Sequence, residues 1–337
     1  MVAMSTFVES QHSRAAGGQF RDNPGTAPEA QLHGFDGDAV ERAAAAKIST
    51  SPDDLSWYAD DGDELVRAAV ARNPHTNLTD LDFLIGDESE LVRRNVVHNP
   101  MSISTHLELL ATDVSLLVRG RVARDARTPA PALGALASDP QAPVRVSVAV
   151  NPATPADVLV WLSDDADGHV RWAAAANRIM PPTALDQLAD DSDSQVVSAV
   201  AKNACTPPEV LERLANHHSS LVRCNVARNQ HTPTAVLEHL AGQPNPVVRY
   251  YAARNETTPV QALERLSTDS DQNVRRALSK NWNVTRGILD RLSRDADPEI
   301  RANVRAHRRT SSRTLDRMNA EDEHARTLAD TLPDPIP

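Results

Sequence analysis

The sequence predicts an all-alpha repeat solenoid of about eleven stacked units, and three observations carry that prediction. Val66, Val92, Val118, Val144, Val170, Val196, Val222, Val248, Val274 and Ile300 recur every 26 residues without an insertion. Leu81, Leu107, Leu133, Leu159, Leu185, Leu211, Leu237, Leu263, Leu289 and Leu315 keep the same interval, each followed three places later by another leucine or, at the end, by Met318. Of 337 residues, 40% are hydrophobic but only 3% are aromatic, so small apolar side chains must build thin repeated layers rather than one bulky core.

Residues 1–37 are polar and rich in short side chains, including His12, Arg14, Gly17, Gly18 and Gln19, and read as a flexible or partly ordered extension. The array spans 38–318. Its first unit is degenerate, with Val40, Ala43, Ala44, Leu55 and Tyr58 at matching positions, as expected where one side has no neighbour. Within a unit, Leu211 and Leu214 lie three apart and share a helix face. Thr206 suits the N-cap, Pro207 the first helical position and Glu209 a capping box, and the Thr-Pro start repeats at Thr128, Thr154, Thr232 and Thr258. A second, shorter helix is expected to follow. Asp167, Asp193, Asp271 and Asp297 stand three residues before the recurrent Val or Ile, where a carboxylate accepts first-turn amides. Asn73, Asn99, Asn151, Asn177, Asn203, Asn229, Asn255 and Asn281 occupy the turn after it, with Asp125 and His307 as substitutes, and suit turn hydrogen bonding and the left-handed conformation. Residues 319–337 read as a C-terminal cap and frayed tail. With layers roughly 9–10 Å apart, eleven units span about 100 Å before curvature.

The succession Leu133, Leu136, Ala137, Asp139, Val144, Arg145, Val148, Ala149, Asn151, Pro152, Thr154 and Pro155, repeated over roughly residues 40–318, resembles the leucine-rich repeat variant family. The resemblance implies a right-handed superhelical solenoid of alternating short alpha and 3-10 helices. Some members carry an N-terminal cysteine cluster holding a 4Fe-4S centre; here the first 204 residues contain no cysteine, so no cofactor is expected. Cys205 and Cys224, the two cysteines, read as small buried residues.

The net charge of -11 disfavours broad attraction to nucleic acid or an acidic membrane. No apolar run approaches bilayer length and the N-terminus lacks a secretory signal pattern, so a cytoplasmic location and no membrane association are expected. His217-His218 replaces an acidic turn position and lacks metal-ligand spacing. No residue shows a catalytic arrangement, and a non-enzymatic protein-interaction scaffold is the leading expectation. Trp57, Phe83 and Trp161, followed in the same column by Arg213, Arg265, Arg291 and Arg317, are the candidate partner anchors. Arg67, Arg93, Arg119, Arg145, Arg171, Arg223, Arg249, Arg275 and Arg301 form a ladder that either binds anions or bridges units through Asp87, Asp113, Asp139, Asp165, Asp191, Asp269 and Asp295; strict periodicity favours bridging. Further basics at Arg72, Arg124, Lys202, Arg228, Arg254 and Lys280 keep nucleic acid as the alternative partner. Trp172, Tyr250, Tyr251 and Trp282 suit either packing or contact.

Overall fold

A computed structural model describes residues 37–331, and there the chain forms twenty-two α-helices and no strand. They pair into eleven successive units. A typical unit joins a seven-residue helix, such as Pro208–Leu214, to a nine-residue helix, such as Ser220–Arg228. The leucine-bearing helix is therefore the shorter of the two, the reverse of the sequence expectation. Proline shortens it at the start: Pro207 takes the N-cap with φ -59° and ψ 148°, extended backbone in which its fixed ring is unstrained and its missing N–H costs nothing. At the other end, Ala215 N still donates to Leu211 O at 3.0 Å, but Asn216 N and His217 N reach only three residues back, to Arg213 O and Leu214 O, which tightens the last turn and stops the helix.

That closing turn is where three-residue spacing occurs. The 3-10 helices implied by the family resemblance are absent among the described residues, because both helices of each unit are long enough to close four-residue bonds. The extension over 1–36 and the segment 332–337 lie outside the described residues. The last helix, Ser312–Thr331, runs unbroken across the expected boundary at 318.

The core lies between the two helix layers. Leu81, Leu107, Leu133, Leu159, Leu185, Leu211, Leu237, Leu263 and Leu289 face the recurrent valines, all fully buried, and each side of a unit is closed by its neighbour rather than by the unit itself. Ala71, Ala123, Ala149, Ala175, Ala201, Ala227 and Ala253 are also fully buried, and their small size lets successive nine-residue helices approach closely. Successive nine-residue helices pack closely on one another, whereas successive seven-residue helices meet less closely. In the first unit the register slips by one residue. Arg42, not Glu41, occupies the ladder position and bonds Asp61, while Val40 is 69% exposed instead of filling the core.

Polar side chains complete the joins. Thr206 does not cap the next helix: its hydroxyl donates to Val200 O at 2.5 Å, six residues back, and Thr128, Thr154, Thr232 and Thr258 do the same. Asn203 accepts from Cys205 N at 2.9 Å and donates through Nδ2 to Ala175 O and Asn177 O of the preceding unit, at 2.7 and 2.8 Å. These are carbonyls that a helix C-terminus leaves unpaired, so the asparagine both closes its own turn and ties two units. Its φ of -67° and ψ of 132° are extended, and the left-handed conformation expected for this position is not used. Where Asp125 replaces the asparagine, the donors come from Arg127, which bonds Asp125 and reaches Asn99 O at 2.8 Å and Val97 O at 2.6 Å. His307 meets the same demand, accepting from Arg309 N and contacting Asn281 O through Nε2.

Candidate binding face

The arginine ladder is held inside the stack's own bonding. Arg67, Arg93, Arg119, Arg145, Arg171, Arg249 and Arg275 each grip an aspartate twenty residues on, with Nε to Oδ2 distances of 2.5–2.7 Å. Each grip is bidentate, and Nη1 turns back to the carbonyl six residues earlier, as Arg145 does to Asp139 O at 2.8 Å. Because Asp139 is itself gripped by Arg119, consecutive rungs join into a zipper along the units. Asp139 also accepts from Gln141 N, which locks the turn before the nine-residue helix. The zipper is interrupted at two successive rungs and ends before Arg301. Val197 lacks the guanidinium and His217 lacks the carboxylate of the same rung, yet His217 Nδ1 still accepts from Ser219 N at 3.1 Å and keeps the turn closed. In the next rung Arg223 faces Gln243 in sequence; it donates to His217 O and His218 O, and its buried Nε has no partner among the described residues. Among the described residues Arg301 likewise donates to the carbonyls of Asp295 and Ala296 and grips no carboxylate.

These carboxylates are sensitive to acid. Burial pushes Asp139, Asp165, Asp269 and Asp295 up, but the gripping arginine and the amide two residues on pull them further down, below the ordinary aspartate range. At Asp191 the Arg171 hydrogen bond is the strongest influence, with the same result. A folded-state pKa below the unfolded one means that the stabilisation is complete above the ordinary value of about 3.9 and is lost as pH falls through the lowered folded value. The urea midpoint is accordingly expected to stay level from neutral pH to about 5 and to drop steeply below about 4. A chain with Asp139, Asp165 and Asp191 replaced by asparagine should show a visibly shallower acid slope, and an unchanged slope would dismiss the ladder as the acid-sensitive element.

The column proposed for partner anchors lies on the seven-residue helices. Trp57, Phe83 and Trp161 are 45%, 43% and 53% exposed, and Trp57 stacks edge-on against Tyr58. The arginines later in that column reach back to the preceding unit: Arg213 to Asp186 Oδ1 at 2.8 Å, Arg265 to Glu238 at 3.1 Å, Arg291 to Ser267 Oγ at 2.7 Å and Arg317 to Asp290 at 3.1 Å. Cys224 is buried, whereas Cys205 is exposed, contrary to expectation: it lies in the turn two residues after the bonding asparagine, with its thiol against Arg178 O of the preceding unit at 3.1 Å.

The opposite face, made by the nine-residue helices, has a different character. Three columns cross it at 26-residue intervals, starting from Ala68, Ala69 and Arg72, and none of their positions from there to Ala302, Asn303 and Ala306 holds Asp or Glu. They hold instead Arg72, Arg94, Arg121, Arg124, Lys202, Arg228, Arg254, Arg276 and Lys280. Ala68, Ser147, Ala173, Ser198, Ala199, Cys224, Asn225 and Ala277 are buried, where a carboxylate is costly in any case, so the segregation in this chain of net charge -11 is carried by the exposed positions. Among the described residues, carboxylates pair with these cations at the C-terminal end, where Arg276 pairs with Asp297 and Glu299 and Lys280 with Glu299, and Glu256 lines a cavity beside Arg228 and Arg254. Aromatics are interleaved: Arg228 lies 5.1 Å from the Tyr251 ring centre, Arg254 donates to Tyr250 Oη at 3.1 Å, and Trp172 is 42% exposed.

No family model matches the chain, and no curated protein matches it. Among solved structures, one described as a leucine-rich repeat variant with a novel repetitive protein structural motif is 27% identical, over 66% of this chain and 87% of that one, with a TM-score of 0.47. Another, described as an engineered protein, is 17% identical over 85% of this chain and 97% of that one, with a TM-score of 0.34.

Cavities open on the nine-residue side of the described residues. One, of about 460 Å³, lies across helices Glu64–Arg72, Glu90–His98, Leu116–Arg124 and Ala142–Val150. Another, of about 510 Å³, lies beside Arg228, Tyr251 and Arg254. Arg94 and Arg121 were not singled out from the sequence. Their signal is there, but it is an absence of acids at fixed spacing rather than a repeated residue. Among the described residues no group of three or more His, Cys, Asp or Glu is arranged to hold a metal ion, and no helix is long and apolar enough to cross a membrane.

Proposed function

We propose that the chain is a non-enzymatic interaction scaffold that holds an extended protein segment along its nine-residue helices, in the right-handed winding that the family resemblance implies. The carboxylate-free columns carry this reading: a surface whose cations from Arg72 to Arg254 make no ion pair among the described residues, with exposed aromatics between them, favours an acidic partner with apolar side chains. The distribution of charge favours protein over nucleic acid. Between Arg124 and Lys202 the three columns hold Val146, Ser147, Val150, Trp172, Ala173, Ala176, Ser198 and Ala199 and no cation, so a uniform polyanion would leave phosphates unmatched there. The ladder arginines, which would have supplied a continuous strip, have their donors engaged inside the stack.

The test is affinity capture with the intact chain, followed by titration of the captured protein against Arg228→Glu/Arg254→Glu and, as a control on the other face, Arg213→Ala/Arg265→Ala. The first pair is expected to weaken binding at least about tenfold, as charge reversal at a desolvated contact does, and the second to change it by less than about twofold. Equal effects from both pairs would contradict the assignment of the face. Reproducible capture of RNA or DNA in place of protein would reverse the choice of partner.

A further inference from the structure

The cavity on helices Glu64–Arg72 to Ala142–Val150 has an internal composition that the scaffold reading does not by itself require. Arg72, Arg94, Arg121 and Arg124 all line it, and no Asp or Glu does. None of the four makes an ion pair with a carboxylate among the described residues, although arginines elsewhere in the stack do so regularly. Asp125, whose charge is felt at Arg121, is paired with Arg127 at 2.8 Å. Among the described residues Arg121 Nε is buried with no hydrogen-bond partner, and a buried unpaired donor of a charged group is costly unless something completes it. Burial, followed by the neighbouring charges of Arg94 and Arg124, holds the Arg121 guanidinium below its ordinary range, so the cluster repels itself as it stands. His98, which also lines the cavity, is pushed down by burial and by Arg121 and Arg72, which disfavours its charged form.

We infer that this cavity is a binding site for a phosphorylated serine or threonine side chain carried by a protein segment. The inference rests on the scaffold reading and adds the group that the scaffold recognises. Charge count selects the phosphoryl group over a carboxylate: four guanidiniums without a counter-ion match an anion of charge about -1.5 to -2 with three acceptor oxygens better than a single carboxylate of charge -1. The walls select a protein carrier. Leu116 and Leu117, 44% and 50% exposed, and Pro143 border the cations, so the residues beside the phosphate are apolar and the next stretch of the face, at Val150 and Trp172, continues that character. Asn95, also in the lining, donates one Nδ2 hydrogen to Ala68 O at 2.9 Å, which fixes its carboxamide and leaves the second N–H as a further donor.

Fluorescence anisotropy with the whole chain tests this. The probes are a degenerate phosphoserine and phosphothreonine peptide library with leucine and proline flanks, the same library without phosphate, a glutamate-substituted library, inorganic phosphate, and a single-stranded 12-mer of DNA and of RNA. The phosphorylated library is expected to bind at least about tenfold more tightly than either of the other peptide libraries and than inorganic phosphate. Arg124→Ala and Arg72→Ala, both at exposed positions that leave the core untouched, should each remove most of that preference, while Arg213→Ala leaves it intact. Arg121→Gln, checked for folding by its thermal transition, should abolish it. Equal binding of the phosphorylated and glutamate libraries overturns the phosphoryl inference while leaving the scaffold reading in place. Tighter binding of the oligonucleotides than of every peptide overturns both.

Discussion

Replacing Leu211 by Ala is expected to lower stability by about 3–5 kcal/mol. The side chain is completely buried and sits in the continuous cluster that links Leu185, Val196, Leu214 and Val222 across unit boundaries. Its removal takes away the transfer free energy of the lost atoms and leaves a void that flanking helices, fixed by asparagine bridges on both sides, cannot fill by moving. A stack in which each unit touches only its neighbours localises the damage. Native-state hydrogen exchange should therefore show the largest loss of protection in the helices on either side of the Pro208–Leu214 helix, with distant units little changed. Leu109→Ala is the matched control: Leu109 belongs to the same type of helix but is 60% exposed, and its loss should cost less than about 0.5 kcal/mol. Similar costs at both positions would contradict the burial that defines the fold.

Asp165→Ala is the second large effect, about 3–5 kcal/mol. The side chains of Arg145 and Asp165 are 16% and 6% exposed, and the aspartate also accepts from Asp167 N at 2.8 Å. Removing the carboxylate strands a largely covered guanidinium and a turn amide together, which costs more than the pair contributes when intact. Combining Asp165→Ala with Arg145→Met should recover part of the loss, because the stranded charge is then gone. The chain contains its own version of that double change at Val197 and His217, where both members of one rung are absent and the turn survives on the histidine ring. Chemical denaturation of the two variants decides the matter; a single-variant loss under about 1 kcal/mol would mean the rung behaves as a solvent-screened surface pair.

The repeat length, the pairing of the leucine and valine layers and the Arg-to-Asp bridging were legible because one demand recurs in every unit and leaves the same residue at the same spacing. The roles of the turn residues were not. Thr206 before Pro207 matches a capping pattern, but a helix that starts one residue later leaves its hydroxyl beside Val200 O, and burial makes satisfying that carbonyl the stronger demand. Asp125 looked like a plain substitute for asparagine, yet an ionised carboxylate has no donor, and only the folded chain shows Arg127 supplying it. The order of helix lengths was misread because proline was placed inside the leucine-bearing helix rather than at its cap. The binding face was hidden for a further reason. Its residues vary from Arg94 to Trp172 to Tyr250 in a single column, so identity does not repeat, and what unites them is the exclusion of acids from positions that only the packing shows to be one surface.

That exclusion carries the functional account, and the two faces have a convenient property: each holds aromatic side chains that report on it. Hydroxyl-radical footprinting of the whole chain, alone and with its captured partner, reads both at once. Protection at Trp172, Tyr250 and Tyr251, with Trp57, Phe83 and Trp161 labelled as in the free chain, is the result predicted. Protection of Trp57, Phe83 and Trp161 instead, with the nine-residue helices unaltered, would place the partner on the opposite side and contradict the account.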